Sequence, residues 1–466
     1  MNKKLEEYKK YLKDKKIAVL GIGISNRPLI TYLINLGIDV TAFDKAELTA
    51  LGDYGDYLVS KSVKLSLGPD YLNSLNGFDV IFRTPGMRPD LPQLVKEIEN
   101  GAVLASEMEV FMDLCPAQII AITGSDGKTT TTTLIAKLLE QQGYKVWLGG
   151  NIGTPLLCKI DEVQPADKVV LELSSFQLQT MKKSPDVAII TNITPNHLDI
   201  HKSMEEYIDA KKNIFLYQDR TDVLVLNYDN TITKSFVGEA KGSVRLFSRN
   251  EILGAGSFFV KDGAIVYDDG SNITELIKCD EILIPGNHNV ENYLAACAAI
   301  IGLVLPYNMS EVARTFPGVE HRLELVREVN GVKYYNSSID SSPNRTKAAL
   351  STFKQKVILV AGGKDKNIPY DDLGPSLVEK VKELILIGPT ADKIEESLRA
   401  ELDKRSLSRD YVKTHRCKSY EEIVSLASQI AENGDIVILS PASTSFDMFK
   451  NFEERGNTFK DLVMKI

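Results

Sequence analysis

IIAITGSDGKTTTTTLIAKLLEQQ, residues 119–142, sets the reading of the whole chain. The apolar run that ends at Thr123 has the length and composition of a buried strand, Gly-Ser-Asp-Gly makes a tight turn, and Lys128 opens a helix. Such a turn points the helix's first N–H groups and its positive dipole end above the sheet, which makes an anion site. The dipole alone contributes about 0.3–1 kcal/mol at an exposed site, against about 8 kcal/mol for a micromolar ligand, so side chains must carry most of the binding. Lys128 suits the β- and γ-phosphates of a nucleotide, and the hydroxyl of Thr129 or Thr130 suits Mg²⁺, a hard cation that prefers oxygen. The loop is shorter than the usual Gly-x-x-x-x-Gly-Lys-Ser/Thr form, with Ile122 where the first glycine would stand and Gly124 the nearest. Gly124, Ser125, Asp126, Gly127, Lys128, Thr129 and Thr130 are therefore the expected nucleotide-binding residues.

Outward from this loop, apolar strand-like runs alternate with helical stretches: KIAVLGIGIS, DVTAFD and DVIFRTPGM before it, KVVLEL, VAIITNI and VLVLN after it, then KVILVAGG, ELILIG and DIVILSPAS. That alternation predicts α/β architecture with mostly parallel sheets, in three domains at 1–105, 106–316 and 317–466. GSVRLFSRNEILGAGSFFVKDGAIVY, rich in aromatic and β-branched residues, reads as a small antiparallel insertion in the middle domain. Pro317 and Gly318 mark a hinge.

The first glycine turn is GIGISN: Gly21 and Gly23 are followed by Asn26 where a dinucleotide fingerprint would place its third glycine, and Asp44 ends the next strand, about where a ribose-binding acid sits. A plain structural turn and a nucleotide-like ligand both fit, and a dehydrogenase reading would rest on this turn alone.

Of 466 residues, 43% are hydrophobic and 25% charged, the balance of a folded globular protein. A formal charge of −8 argues against a nucleic-acid partner. Five scattered cysteines (Cys115, Cys158, Cys279, Cys297, Cys417) form no C-x-x-C pair, so neither a disulfide framework nor a zinc site is expected. No apolar stretch follows the charged opening MNKKLEEYKKYLKDKK, and no run is long enough to span a bilayer; a cytoplasmic protein without a membrane partner is the expectation.

Beyond the phosphate loop, Glu172 ends a strand and His197 follows the next strand end, positions that suit Mg²⁺ and an adjacent anion. Taken alone, Glu172 reads as a solvated acid, and Lys211, beside Lys212 on a helix, as a solvated cation. In order along almost the whole chain, TGSDGKTT, GGNIGTP, LELSSFQL, NHLDIH, YIDAKKNI, GNHNVENYLAA, GVEHR and LSPASTSFDMFKNFEERGN resemble the motifs of the Mur ligases, the last stretch those of the D-glutamate-adding members.

The resemblance implies a Rossmann-like first domain holding a UDP-linked substrate, a central P-loop-type ATPase domain and a Rossmann-like third domain receiving the amino acid. The implied reaction is ATP-dependent addition of D-glutamate to UDP-N-acetylmuramoyl-L-alanine through an acyl phosphate, by a monomer. It implies that Lys128 holds phosphates, that Thr129 and Glu172 bind one Mg²⁺ and His197 a second, and that Lys211 carries a carbamate bridging metal. Lys128, Glu172, His197 and Lys211 are then the catalytic set, with Asn292 and Arg322 on the nucleotide. Ser25, Asp44, Asn151, Ser174 and Gln177 would touch the UDP-linked substrate, and Ser341, Lys366, Ser445 and Phe452 the D-glutamate. Two departures stand out: Ser337 replaces an aspartate of the family, with Asp340 three residues on, and Asp126 stands where many relatives have asparagine. Another Mur ligase, a folylpolyglutamate synthase-like ligase, or a nucleotide-binding regulator without turnover are the competing expectations; phosphate release requiring both substrates separates the last.

Overall fold

The computed structural model describes residues 2–195, 201–366 and 368–466. It contains three α/β domains, each built on its own sheet. The first sheet has strands β1 (Ile17–Leu20), β2 (Val40–Asp44), β3 (Lys64–Leu67), β4 (Val80–Arg83) and β5 (Val103–Ala105), all parallel, in the order β3-β2-β1-β4-β5. Every residue of β1 is buried because helices cover both faces: Ile17 and Val19 enter one apolar cluster, Ala18 and Leu20 another.

The central sheet has nine strands: β6 (Gln118–Thr123), β7 (Val146–Gly150), β8 (Lys168–Glu172), β9 (Val187–Ile190), β10 (Val223–Asn227), β11 (Ser243–Ser248), β12 (Ser257–Lys261), β13 (Ala264–Asp268) and β14 (Ile273–Lys278). β6 lies between β8 and β9, parallel to both, so its C-terminal turn is flanked by two other strand ends. The segment expected to form a small antiparallel insertion extends this sheet, and its first half is parallel. β11 pairs parallel with β10 and β12 parallel with β11, and the antiparallel pairs are β12 with β13 and β13 with β14, so β13 alone runs against the rest.

The third sheet, β15 (Glu324–Val329), β16 (Val332–Asn336), β17 (Val357–Gly362), β18 (Val381–Ile387), β19 (Lys413–Arg416) and β20 (Ile436–Leu439), runs β15-β16-β20-β17-β18-β19 and is parallel except for the β15–β16 pair. Leu359 and Ala361 face one of its apolar layers, Ile358 and Val360 the other.

By contacts the chain forms two compact units, residues 1–279 with 291–312, and 280–290 with 313–466. The first unit holds two sheets because one apolar core runs through both. Val19 and Phe82 of the first sheet, Met108 and Phe111 of the helix Glu107–Leu114, and Ala121 and Leu171 of the central sheet belong to the same cluster. Glu107 reinforces the join: it is buried, accepts the Leu157 N–H at 2.6 Å, and burial raises its carboxyl to about 7. No helix among the described residues is long and apolar enough to cross a membrane.

Candidate active site

The phosphate loop forms as its residues dictate. Gly124 and Gly127 have φ of 150° and 78°, the second in the left-handed region. A Cβ on Gly124 would overlap Thr191 Oγ1, and one on Gly127 would overlap Asn292 Oδ1. Helix Lys128–Gln141 follows at once, its first turn at the top of the sheet. Ser125 Oγ donates to Thr194 C=O and accepts its N–H, both at 2.9 Å, and lies 3.0 Å from Tyr207 OH. Lys128 Nζ donates to the carbonyls of Gly124 at 3.0 Å and Ser125 at 2.9 Å. Thr130 is buried, whereas the Asp126 side chain is exposed, which keeps the extra charge of this loop in solvent.

Three expected active-site residues converge on this loop. Lys211, on helix Met204–Leu216, is buried, against its reading as a solvated cation. Its Nζ donates to Gly124 C=O at 2.7 Å and to Thr123 Oγ1 at 3.2 Å, and lies 4.7 Å from the centre of the Tyr207 ring. Burial, with Lys128 nearby, holds its amine well below the ordinary lysine range. Glu172 is also buried, at the end of β8. Its Oε1 accepts from Asn151 Nδ2 at 2.9 Å, and its Oε2 has no hydrogen-bond partner among the described residues. The backbone fixes this pair too, since Asn151 N–H donates to Glu172 C=O at 2.7 Å.

A buried carboxyl oxygen that no described residue hydrogen-bonds is costly to desolvate unless a cation faces it, so this oxygen donor fits Mg²⁺ at Glu172. Among the described residues no group of three or more His, Cys, Asp or Glu side chains gathers as a metal centre. His197 lies outside the described residues.

Ser174 and Gln177, expected to touch substrate, hold each other. Ser174 N–H donates to Gln177 Oε1 at 3.0 Å and Gln177 N–H to Ser174 Oγ at 3.3 Å, a capping box on the short helix Ser175–Leu178. At the first glycine turn, Asp44 accepts the N–H of Ile22 at 2.5 Å and of Ala46 at 2.8 Å, so it organises the turn itself, while Ser25 beside it is exposed. Asn292 accepts from Thr131 Oγ1 at 3.2 Å and backs the loop.

In the second unit, Ser445 is buried and its carbonyl accepts the N–H groups of Met448 and Phe449. Phe452 packs edge-on against His321 with ring centroids 5.9 Å apart, Lys366 is exposed, and Arg322 and Ser341 are half-buried. Ser337 accepts the Leu323 N–H at 3.2 Å. Asp340 is buried, accepts from Ser440 Oγ at 2.8 Å, and burial raises its carboxyl to about 6 against hydrogen bonds from Ser337 and Ser440 and the charges of Arg322 and Arg345.

Sequence reasoning missed Thr191, Asn192 and Tyr207, which brace the phosphate loop from β9 and from the helix carrying Lys211. The signal was present in the two polar residues that directly follow the apolar run of β9, at the same edge as the loop.

The Mur ligase middle domain matches residues 122–300, and the Mur ligase glutamate ligase domain matches 321–443. The UDP-N-acetylmuramoylalanine--D-glutamate ligase of Ruminiclostridium cellulolyticum is 62% identical over 99% of both chains. The fold is like that of the UDP-N-acetylmuramate-alanine ligase of Thermotoga maritima, with TM-score 0.58 and 19% identity over 97% of this chain and 99% of that one. It is also like that of a MurF ligase from Thermotoga maritima in complex with ADP, with TM-score 0.55 and 17% identity over 91% and 95%. With the loop, its buried acid and its buried lysine in place, the chain belongs to the Mur ligase family.

Proposed function

We propose that the protein is an ATP-dependent ligase that joins D-glutamate to UDP-N-acetylmuramoyl-L-alanine in the synthesis of peptidoglycan precursors. The observation that carries this reading is the end-to-end likeness to D-glutamate ligases, and the chemistry of the loop agrees with it. A carboxylate is a poor electrophile because it is anionic and would have to expel oxide. Its oxygen attacks the γ-phosphorus of ATP, ADP leaves, and the acyl phosphate that results carries a competent leaving group. The amine of D-glutamate then attacks the acyl carbon, phosphate departs, and the amine sheds a proton as the amide forms.

Such transfers need charge neutralisation and positioning more than covalent help. The loop N–H groups and Lys128 grip the phosphates. Thr129 and Glu172 would hold one Mg²⁺ and His197 a second, with a carbamate on Lys211 as a further oxygen ligand, and these ions would offset the charge of the transferring group. Asn151 holds the Glu172 carboxylate in place. Lys211 is suited to carbamylation because burial holds its amine well below the ordinary lysine range, which favours the nucleophilic form: the nitrogen lone pair adds to CO₂, and the proton goes to solvent.

Residues 1–105 receive the UDP portion, with Ser25 and Asp44 at the glycine turn, and 106–316 hold ATP, with Asn292 behind the loop. The third domain, 317–466, takes D-glutamate through Lys366, Ser341, Ser445 and Phe452, with Arg322 on the nucleotide. The working form is a monomer in the cytoplasm.

The test is product analysis: the protein is incubated with UDP-N-acetylmuramoyl-L-alanine, ATP and Mg²⁺ and with D- or L-glutamate, and the products are weighed. A D-glutamyl adduct formed with equimolar phosphate is expected. Incorporation of L-glutamate in preference, or phosphate release without the amino acid, would overturn the assignment.

A further inference from the structure

We propose that Asn192 is a positioning residue of the phosphate loop, fixing the backbone of Ser125 and Asp126 so that the loop meets nucleotide already shaped. β9 runs parallel to β6 with Ile190 opposite Thr123, so the residue two past the end of β9 arrives beside the turn. Three hydrogen bonds join Asn192 to two consecutive loop residues. Its Oδ1 accepts the Asp126 N–H at 2.9 Å, its Nδ2 donates to the Asp126 C=O at 3.2 Å, and its own C=O accepts the Ser125 N–H at 2.9 Å. Thr191 Oγ1 donates to the same Asp126 C=O at 2.6 Å.

Only a primary amide offers an acceptor and a donor from one planar group at this reach. Aspartate offers acceptors alone, and an apolar residue neither. The clamp has two consequences. The Asp126 N–H is already taken, so the amides left for phosphate begin at Gly127, where the helix dipole also points. With its peptide pinned, Asp126 keeps its carboxylate exposed.

This inference rests on the ATP-dependent reading above and adds to it a residue that touches neither ATP nor metal. The test compares the wild type with Asn192→Ala and with Asn192→Asp, which keeps the size and the acceptor but loses the donor. Loss of two neutral hydrogen bonds predicts about tenfold weaker ADP binding in calorimetry and about a tenfold higher KM for ATP in the alanine variant, and at least as much in the aspartate variant. KM for D-glutamate and for the UDP-linked substrate should stay within about twofold, and melting temperatures close to the wild type. ADP affinity unchanged in both variants, or all three KM values rising together with a lowered melting point, would overturn the proposal. A wild type that binds no ADP would sink the nucleotide reading by itself and the proposal with it; a wild type that binds ADP and variants that bind it equally would sink the proposal alone.

Discussion

Lys211 and its neighbour Lys212 have the same side chain and opposite fates. Lys211 is buried against the phosphate loop, and Lys212 reaches Glu239 on the other side of the helix. Lys211→Ala is expected to lower kcat at least about a hundredfold, the usual cost of losing a group that stabilises transition-state charge, whereas Lys212→Ala should stay within about twofold; steady-state rates with saturating substrates decide. Asp340 supplies a pH prediction. Its carboxyl titrates near 6 when folded and near 3.8 when unfolded, so the folded state binds more protons between those values. Its favourable contribution is complete below about pH 4 and is lost as pH rises through 6. Asp340→Asn keeps an acceptor for Ser440 and removes the buried charge. It should therefore stabilise its unit at pH 8 by at most about 3 kcal/mol, seen as a higher melting temperature, with the gain gone at pH 4.

At the scale of the element, the short helix Ser175–Leu178 depends on its cap. Ser174→Ala should cost about 1 kcal/mol of stability and lower kcat through a displaced Gln177, while Ser174→Thr, which keeps the hydroxyl, should restore both. Thermal melts paired with rates separate this from direct substrate contact, which would raise KM for the UDP-linked substrate without a stability change. The cap is legible in the sequence as Ser-x-x-Gln, with Ser174 and Gln177 at its two ends. Strands β1, β6, β8, β9, β10, β17, β18 and β20 were legible because buried parallel strands are continuous apolar runs. Their termini were read to within a few residues. Strands β3, β7 and β19 were not, since they pair on one side only, β3 and β19 carry polar residues and β7 ends in two glycines. The extension through β11 and β12 escaped notice for another reason: strand direction is decided by distant pairing, and β-branched composition is the same either way. The burial of Lys211 and the bracing by Asn192 share that limit, being contacts across 87 and 66 residues of chain.

The three domains, one per sheet, gather by contacts into two units, the first and central sheets sharing one. Two calorimetric transitions are expected. ADP at about a hundred times its dissociation constant should lift the one belonging to the phosphate-loop unit by roughly 2.7 kcal/mol; a single transition that nucleotide leaves in place would contradict both the division and the site. The sheet changes near residue 105, yet Val19, Phe82, Met108, Phe111 and Ala121 share one core across that point. For anyone designing fragments, that shared core matters more than the sheet count. A protein cut after 105 would present a raw oily wall to water where Met108 and Phe111 used to lie, and would clump or be digested; a cut placed after the helix that ends at Leu114 would take that wall's covering with it and still strip the central sheet bare.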